Sequence, residues 1–235
     1  MSAMAESFTI AQQFNGPPDS GNGGYVCGKL AGFVGGPAIV TLRAPPPLET
    51  PIQITRTNNG VSAHHGDALI AEAAPASISW VAPAAPNALD VDAAAKRFRG
   101  FHNHFFTGCF TCGTARGIDD GLRIFTGPVA QRDMVATAWI PSAAWADARG
   151  AIAPEFIWAA LDCPTFWAHE HINRALLARL ALDISEAPRV GEALIIAAWP
   201  LSSEGRKYNS GAALYRASGE VLARAEALWI ELKPT

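Results

Sequence analysis

Residues 38–54 read AIVTLRAPPPLETPIQI, and residues 180–196 read LALDISEAPRVGEALII. Laid over one another, the two stretches place Val40 on Leu182, Pro46 on Pro188, Leu48 on Val190, Ile52 on Leu194 and Ile54 on Ile196. Each is an extended segment, a proline corner and a second extended segment. The likeness resumes downstream, where GDALIAEA (66–73) matches the start of GEVLARAEALWI (219–230), with Leu69 over Leu222. Between them lie turn signals, Asn58-Asn59-Gly60 in one copy and Ser203-Glu204-Gly205 in the other, which predict hairpins. Apolar residues alternate at Leu180, Leu182 and Ile184 and at Val135, Thr137 and Trp139, as strands with one buried face require. A script found twice in one chain points to two units of the same build.

One helical segment precedes each block. In the second half it is PEFIWAALDCPTFW (154–167), opened by Pro154, which suits a first helical turn. Pro164 lacks an amide donor and is expected to end or kink that helix. In the first half it is GGYVCGKLAGFVGG (23–36), whose glycines make it a poor helix by propensity, so it must be buried to persist. A helix wrapped by an antiparallel sheet, present twice, supplies that burial, and the predicted class is α+β. The boundary falls in WVAPAAPNALDVD (80–92), with Pro83 and Pro86, before the basic and aromatic KRFRGFHNHFF (96–106). The expected division is 1–82, a linker 83–104, and 105–235.

With 18 basic and 21 acidic residues the chain carries a net charge of -3, too weak a positive field for a nucleic-acid partner. No apolar run approaches the roughly 20 residues of a membrane span, and MSAMAESFTI lacks the basic start and apolar stretch of a secretory signal, so a cytoplasmic protein is expected. The four cysteines form no disulfide framework. Cys109-x-x-Cys112 has the spacing of half a zinc site or of a redox pair, and His102 and His104 lie near it. A second Cys pair and a thioredoxin-like pattern are both lacking, so these cysteines read as buried packing, and so does Cys163.

CFTCGTARGIDDGLRIF (109–125) resembles the Cys-Phe-x-Cys-Gly and Gly-Leu opening of the hotdog thioesterase superfamily, especially the branch that includes phenylacetate-pathway thioesterases, and VLARAEALWIEL (221–232) resembles that branch's closing strand. The likeness runs from about Phe8 to Leu232. It implies a tandem hotdog, each half an antiparallel sheet around a central helix, and two chains associating as a homodimer of such tandems. It implies an acyl-CoA or other acyl-thioester substrate and no metal or prosthetic cofactor.

Family catalysis, so implied, joins two helices from opposed units: a glycine amide at one helix start polarises the thioester carbonyl, and a carboxylate about two turns along the facing helix attacks or activates water. Carried over, the first half has Asn22-Gly23-Gly24 where the family often has His-Gly-Gly, but Ala31 at the carboxylate position. The second half has Asp162 at that position, but Ala153-Pro154-Glu155 at the turn, and Pro154 has no amide hydrogen. One composite site is therefore expected, with Gly23 and Gly24 binding the carbonyl oxygen, Asn22 orienting it and Asp162 as base or nucleophile. Trp158, Thr165, Phe166 and His169, near Asp162 on its helix, are the expected substrate wall. Arg206, Lys207 and Tyr208 could meet coenzyme A phosphates or form a solvated hairpin. Three other readings compete: a purely structural role in assembly, a binding protein that keeps the pocket without turnover, and a hydratase or dehydratase. The last needs an Asp with a His about five residues on, which is missing here.

Overall fold

A computed structural model describes residues 6–233. Its order is β1 (Ser7–Thr9), α1 (Gly23–Ala31), β2 (Ala38–Leu42), β3 (Pro51–Thr57), β4 (Gly60–His65), β5 (Ala68–Pro75), α2 (Ala88–Ala95), β6 (Gly127–Pro128), β7 (Val135–Trp139), α3 (Pro154–Trp167), β8 (Ala175–Ile184), β9 (Leu194–Glu204), β10 (Lys207–Arg216) and β11 (Val221–Glu231). The eleven strands of the described residues join one antiparallel sheet in the order β1-β3-β4-β5-β2-β8-β11-β10-β9-β7-β6. The protein is α+β.

The order reads outward from a seam. On one side β2, β5, β4 and β3 follow one another, and on the other β8, β11, β10 and β9 do the same. At the seam β2 pairs with β8, Ala38 opposite Leu182 and Val40 opposite Leu180. All four of these side chains are buried. The apolar alternation that predicted the strands thus points both halves toward one core beneath α1 and α3.

The two sides differ in what covers the back of the sheet. In β3 only Ile52 and Ile54 are buried and the residues between them face solvent, the alternation of a half-wet sheet. In β9 the run Leu194–Trp199 is buried throughout. Leu194, Ile196 and Ala198 join the core under the helices, while Ile195, Ala197 and Trp199 pack with Val91 and Ala94 of α2 on the opposite face. The segment preceding α2 is tied down along that face, where Tyr215 donates to Pro83 O and the Trp80 indole donates to Glu226. Asn87 caps α2 by accepting from the Asp90 amide at 2.9 Å. The proline-rich stretch is therefore a packed strap, and β9 is unbroken in its hydrophobicity because both faces are covered.

Pro164 does not end its helix. α3 continues to Trp167, and Ala168 N still reaches Pro164 O at 3.0 Å. Every residue from Ile157 to Thr165 is buried, and that packing outweighs the one hydrogen bond proline removes. The glycine-rich α1 forms for the reason the sequence suggests, since seven of its residues are buried. Among the described residues no helix is long and apolar enough to cross a membrane.

Candidate active site

Each of the two core helices begins from the same kind of loop. Before α1, Asn15 and Gly21 form an isolated antiparallel bridge, Gly21 N donates to Pro46 O at 2.9 Å, and Asn22 N donates to Phe14 O at 2.7 Å. Before α3, Ala146 and Ile152 form the bridge, Ile152 N donates to Pro188 O at 2.8 Å, and Ala153 N donates to Trp145 O at 3.0 Å. The corner prolines matched in the sequence thus do the same job twice, each fixing where a helix starts.

α1 and α3 run antiparallel in very close contact. A Cβ built on Gly24 would stand 2.4 Å from Asp162 Cβ and 2.7 Å from Trp158 O, and one on Gly28 would stand 2.5 Å from Glu155 Cα. No side chain fits at either point. This approach brings the start of α1 against Asp162, which lies 138 residues further along the chain.

Asp162 is 1% exposed. Its Oδ2 accepts from the Gly24 amide at 2.9 Å and from Asn22 Nδ2 at 3.2 Å, while Oδ1 is buried with no partner among the described residues. Burial pushes the carboxyl up to about 7; the Gly24 amide and the Asn22 side chain pull it down, and Cys109 adds to the rise. Asn22 does three things at once: its Oδ1 caps α1 by accepting from Tyr25 N at 2.9 Å, and its Nδ2 reaches both Asp162 and Cys109 Sγ, the latter at 3.7 Å. We expect Asn22→Ala to lower stability by about 1–2 kcal/mol, the usual cost of a lost cap, in urea melts against the wild type. An unchanged midpoint would mean that the cap contributes nothing.

A half-open cavity of about 530 Å³ lies beside this cluster. Asn22, Gly23 and Asp162 reach it, and Phe166, Trp167 and Trp229 give it an apolar wall. Gly23 is the first residue of α1, and its amide has no acceptor among the described residues.

The structure brings Asn22, Gly23, Gly24 and Asp162 together and separates the residues expected around them. Phe166 faces the cavity, but Trp158, Thr165 and His169 do not. Trp158 packs against Gly28 between the helices. Thr165 Oγ1 donates to Asp162 O and accepts from the Trp229 indole at 2.7 Å, which places it behind the wall. His169 Nε2 lies 2.9 Å from Ser210 Oγ. These three residues shared a helical stripe with Asp162, but that stripe meets α1 and the sheet rather than open space. Gly24 also differs from expectation, because its amide is engaged by Asp162 and only that of Gly23 is left for a ligand. Arg206 and Tyr208 hold Glu231 in an exposed hairpin away from the cavity. The sequence reading missed Trp229 and Trp167, whose only signal was an aromatic residue at a strand or helix end.

At the other end of the helix pair, the start of α3 sets Glu155 against Gly28, and rings fill the space. Phe14 stacks on Tyr25 at 4.2 Å, and Phe156 lies 5.0 Å from Trp145 and 6.1 Å from Phe110.

No family profile and no curated protein matches the chain. Solved structures do. An acyl-CoA thioesterase II from Mycobacterium marinum superimposes with a TM-score of 0.62 at 13% identity, over 97% of this chain and 93% of that one. The tesB protein of Mycobacterium avium subsp. paratuberculosis gives 0.61 at 11%, over 97% and 92%. A protein of unknown function from Alicyclobacillus acidocaldarius, described as having a hot dog fold, gives 0.55 at 11%, over 100% and 96%. The chain has the hotdog fold. Within that hotdog sheet the two helices, with Asp162 of one against the start of the other, are the best-defined place for chemistry.

Proposed function

We propose that the protein is a tandem hotdog, with units at 1–82 and 105–235 joined by 83–104, that hydrolyses an acyl-CoA or related acyl thioester at one composite site between the units. The tandem reading is supported by the strand order repeated on either side of the seam and by the twin loops that launch α1 and α3. The observation that carries the function is a buried carboxylate with one unpartnered oxygen, set against a helix N-terminus at the edge of an apolar cavity.

In this reading each group has a task. The Gly23 amide, at the positive end of α1, donates to the thioester carbonyl oxygen and stabilises the charge that grows there. The bonds from Gly24 and Asn22 fix Asp162 through Oδ2 and leave Oδ1 to act. Oδ1 takes a proton from water, the water oxygen adds to the carbonyl carbon, the C–S bond breaks, and the departing thiolate receives the proton. The apolar walls accept the acyl group. Only one site forms, because the opposite helix entry has a proline and is closed by aromatic rings.

Binding without turnover is favoured by one observation: Gly24, a donor the resemblance assigns to the carbonyl, is occupied by Asp162. Thiol release from short, long and aromatic acyl-CoA substrates tests the reading. Hydrolysis of any class above the uncatalysed rate supports it, while thioester binding without hydrolysis across the panel sinks it in favour of the carrier.

A further inference from the structure

Cys109 and Cys112 of one loop and Cys163 of α3 meet at the same cavity. The Sγ atoms of Cys109, Cys112 and Cys163 all lie within 4.8 Å of one another, and those of Cys109 and Cys163 are 3.7 Å apart. All three are buried free thiols that reach the cavity. Two sulfurs on one tetrahedral zinc, each about 2.3 Å from the metal, stand about 3.8 Å apart, whereas a disulfide needs about 2.05 Å. The Cys109–Cys163 separation matches the ligand spacing and not a disulfide.

Two side-chain donors border the sulfurs. Asn22 Nδ2 lies 3.7 Å from Cys109 Sγ. His104 Nδ1 accepts from Phe106 N at 3.1 Å, so its Nε2 carries the proton, and that nitrogen lies 3.0 Å from Cys112 O and 3.3 Å from Cys112 Sγ. A side-chain amide at the first sulfur of a Cys-x-x-Cys and an imidazole N–H beside the second are outer-shell donors of the kind a thiolate-bound metal uses. Packing alone gives buried thiols no reason to collect such donors.

We propose that Cys109, Cys112 and Cys163 bind a thiophilic divalent cation, zinc by geometry and softness, with the fourth position taken by a small molecule from the cavity. Binding displaces thiol protons to solvent, so affinity rises with pH. His104 stays outside the ligand set and donates to Cys112. The sequence alone showed half of this site, because Cys163 stands far from the Cys-x-x-Cys pair and is delivered by α3.

The test uses the full chain purified from cells supplied with zinc, then dialysed. Metal analysis should find roughly one zinc per chain, released when a mercurial blocks the thiols. Cobalt in its place should give intense sulfur-to-cobalt charge-transfer absorption with tetrahedral d–d bands. Cys112→Ser and Cys163→Ser should lose the metal by at least about tenfold in affinity. Cys27→Ser, which changes a buried cysteine outside the trio, should retain it, and circular dichroism checks each fold. Wild-type protein without zinc and without the cobalt spectrum overturns the proposal even if every variant unfolds, and so does a Cys109–Cys163 disulfide in freshly isolated protein. Metal content is read independently of hydrolysis, so this site and the thioesterase reading stand or fall separately.

Discussion

Asp162→Asn is expected to lower kcat for a hydrolysed acyl thioester by at least about a hundredfold, the size of a general base's contribution, while KM moves by less than about threefold. Asparagine is nearly the same shape, and its carbonyl can still accept from Gly24 and Asn22, so the clasp at the start of α1 survives. What disappears is the basic Oδ1, the only oxygen of this carboxylate that no neighbour holds. Stability should change little, because the substitution also removes a carboxyl that burial disfavours in its charged form. Steady-state kinetics beside a urea melt checks both. A kcat within about threefold of wild type would remove Asp162 from the chemistry.

The second large effect concerns the contact that makes the site possible. Gly24→Ala should cost roughly 2–3 kcal/mol, because the new methyl meets Asp162 Cβ at 2.4 Å and the Trp158 backbone at 2.7 Å, neither of which is a flexible chain end. Alanine's better helix propensity recovers only about 1 kcal/mol. α1 would have to back away from α3, stretching the Gly24–Asp162 bond, so activity should fall with stability. Gly108→Ala is the control: nothing lies within 4 Å of a Cβ there, and a change within about 0.5 kcal/mol is expected. If both variants melt together with the wild type, the helices are not in the contact described.

Much of this was legible in the sequence. Prolines 46 and 188, the alternating Leu180 and Leu182, and the two helix entries specify strands, corners and helices by local physics that needs no partner. The pairing of Asn22-Gly23-Gly24 with Asp162 could be anticipated from a resemblance, although the role of each amide could not, since that depends on angstrom-scale approach of two helices. Other features escaped for definite reasons. α3 runs through Pro164 because burial on all sides outweighs a local breaker. α2 and its strap lie on the back of β9 and β10, a placement that Pro83 and Pro86 disguise as a flexible linker. Trp158, Thr165 and His169 share a stripe with Asp162, and periodicity cannot say whether a stripe meets a helix, a sheet or a cavity. The cysteine trio is invisible as a trio until α3 is placed.

The seam has a consequence for the order in which the protein acquires its properties. Hairpins such as β9–β10 and β10–β11 close short loops and form early, but β2 must find β8, with Ala38 opposite Leu182. Closing so long a loop is slow, because its entropy is lost before any contact repays it. The donors at the start of α1 come from one side of that seam and the carboxylate from the other, so neither side carries a competent site while they are apart. During refolding from urea, far-ultraviolet dichroism should recover first and thioester hydrolysis only as the halves dock, which makes catalysis a reporter of the last step of folding.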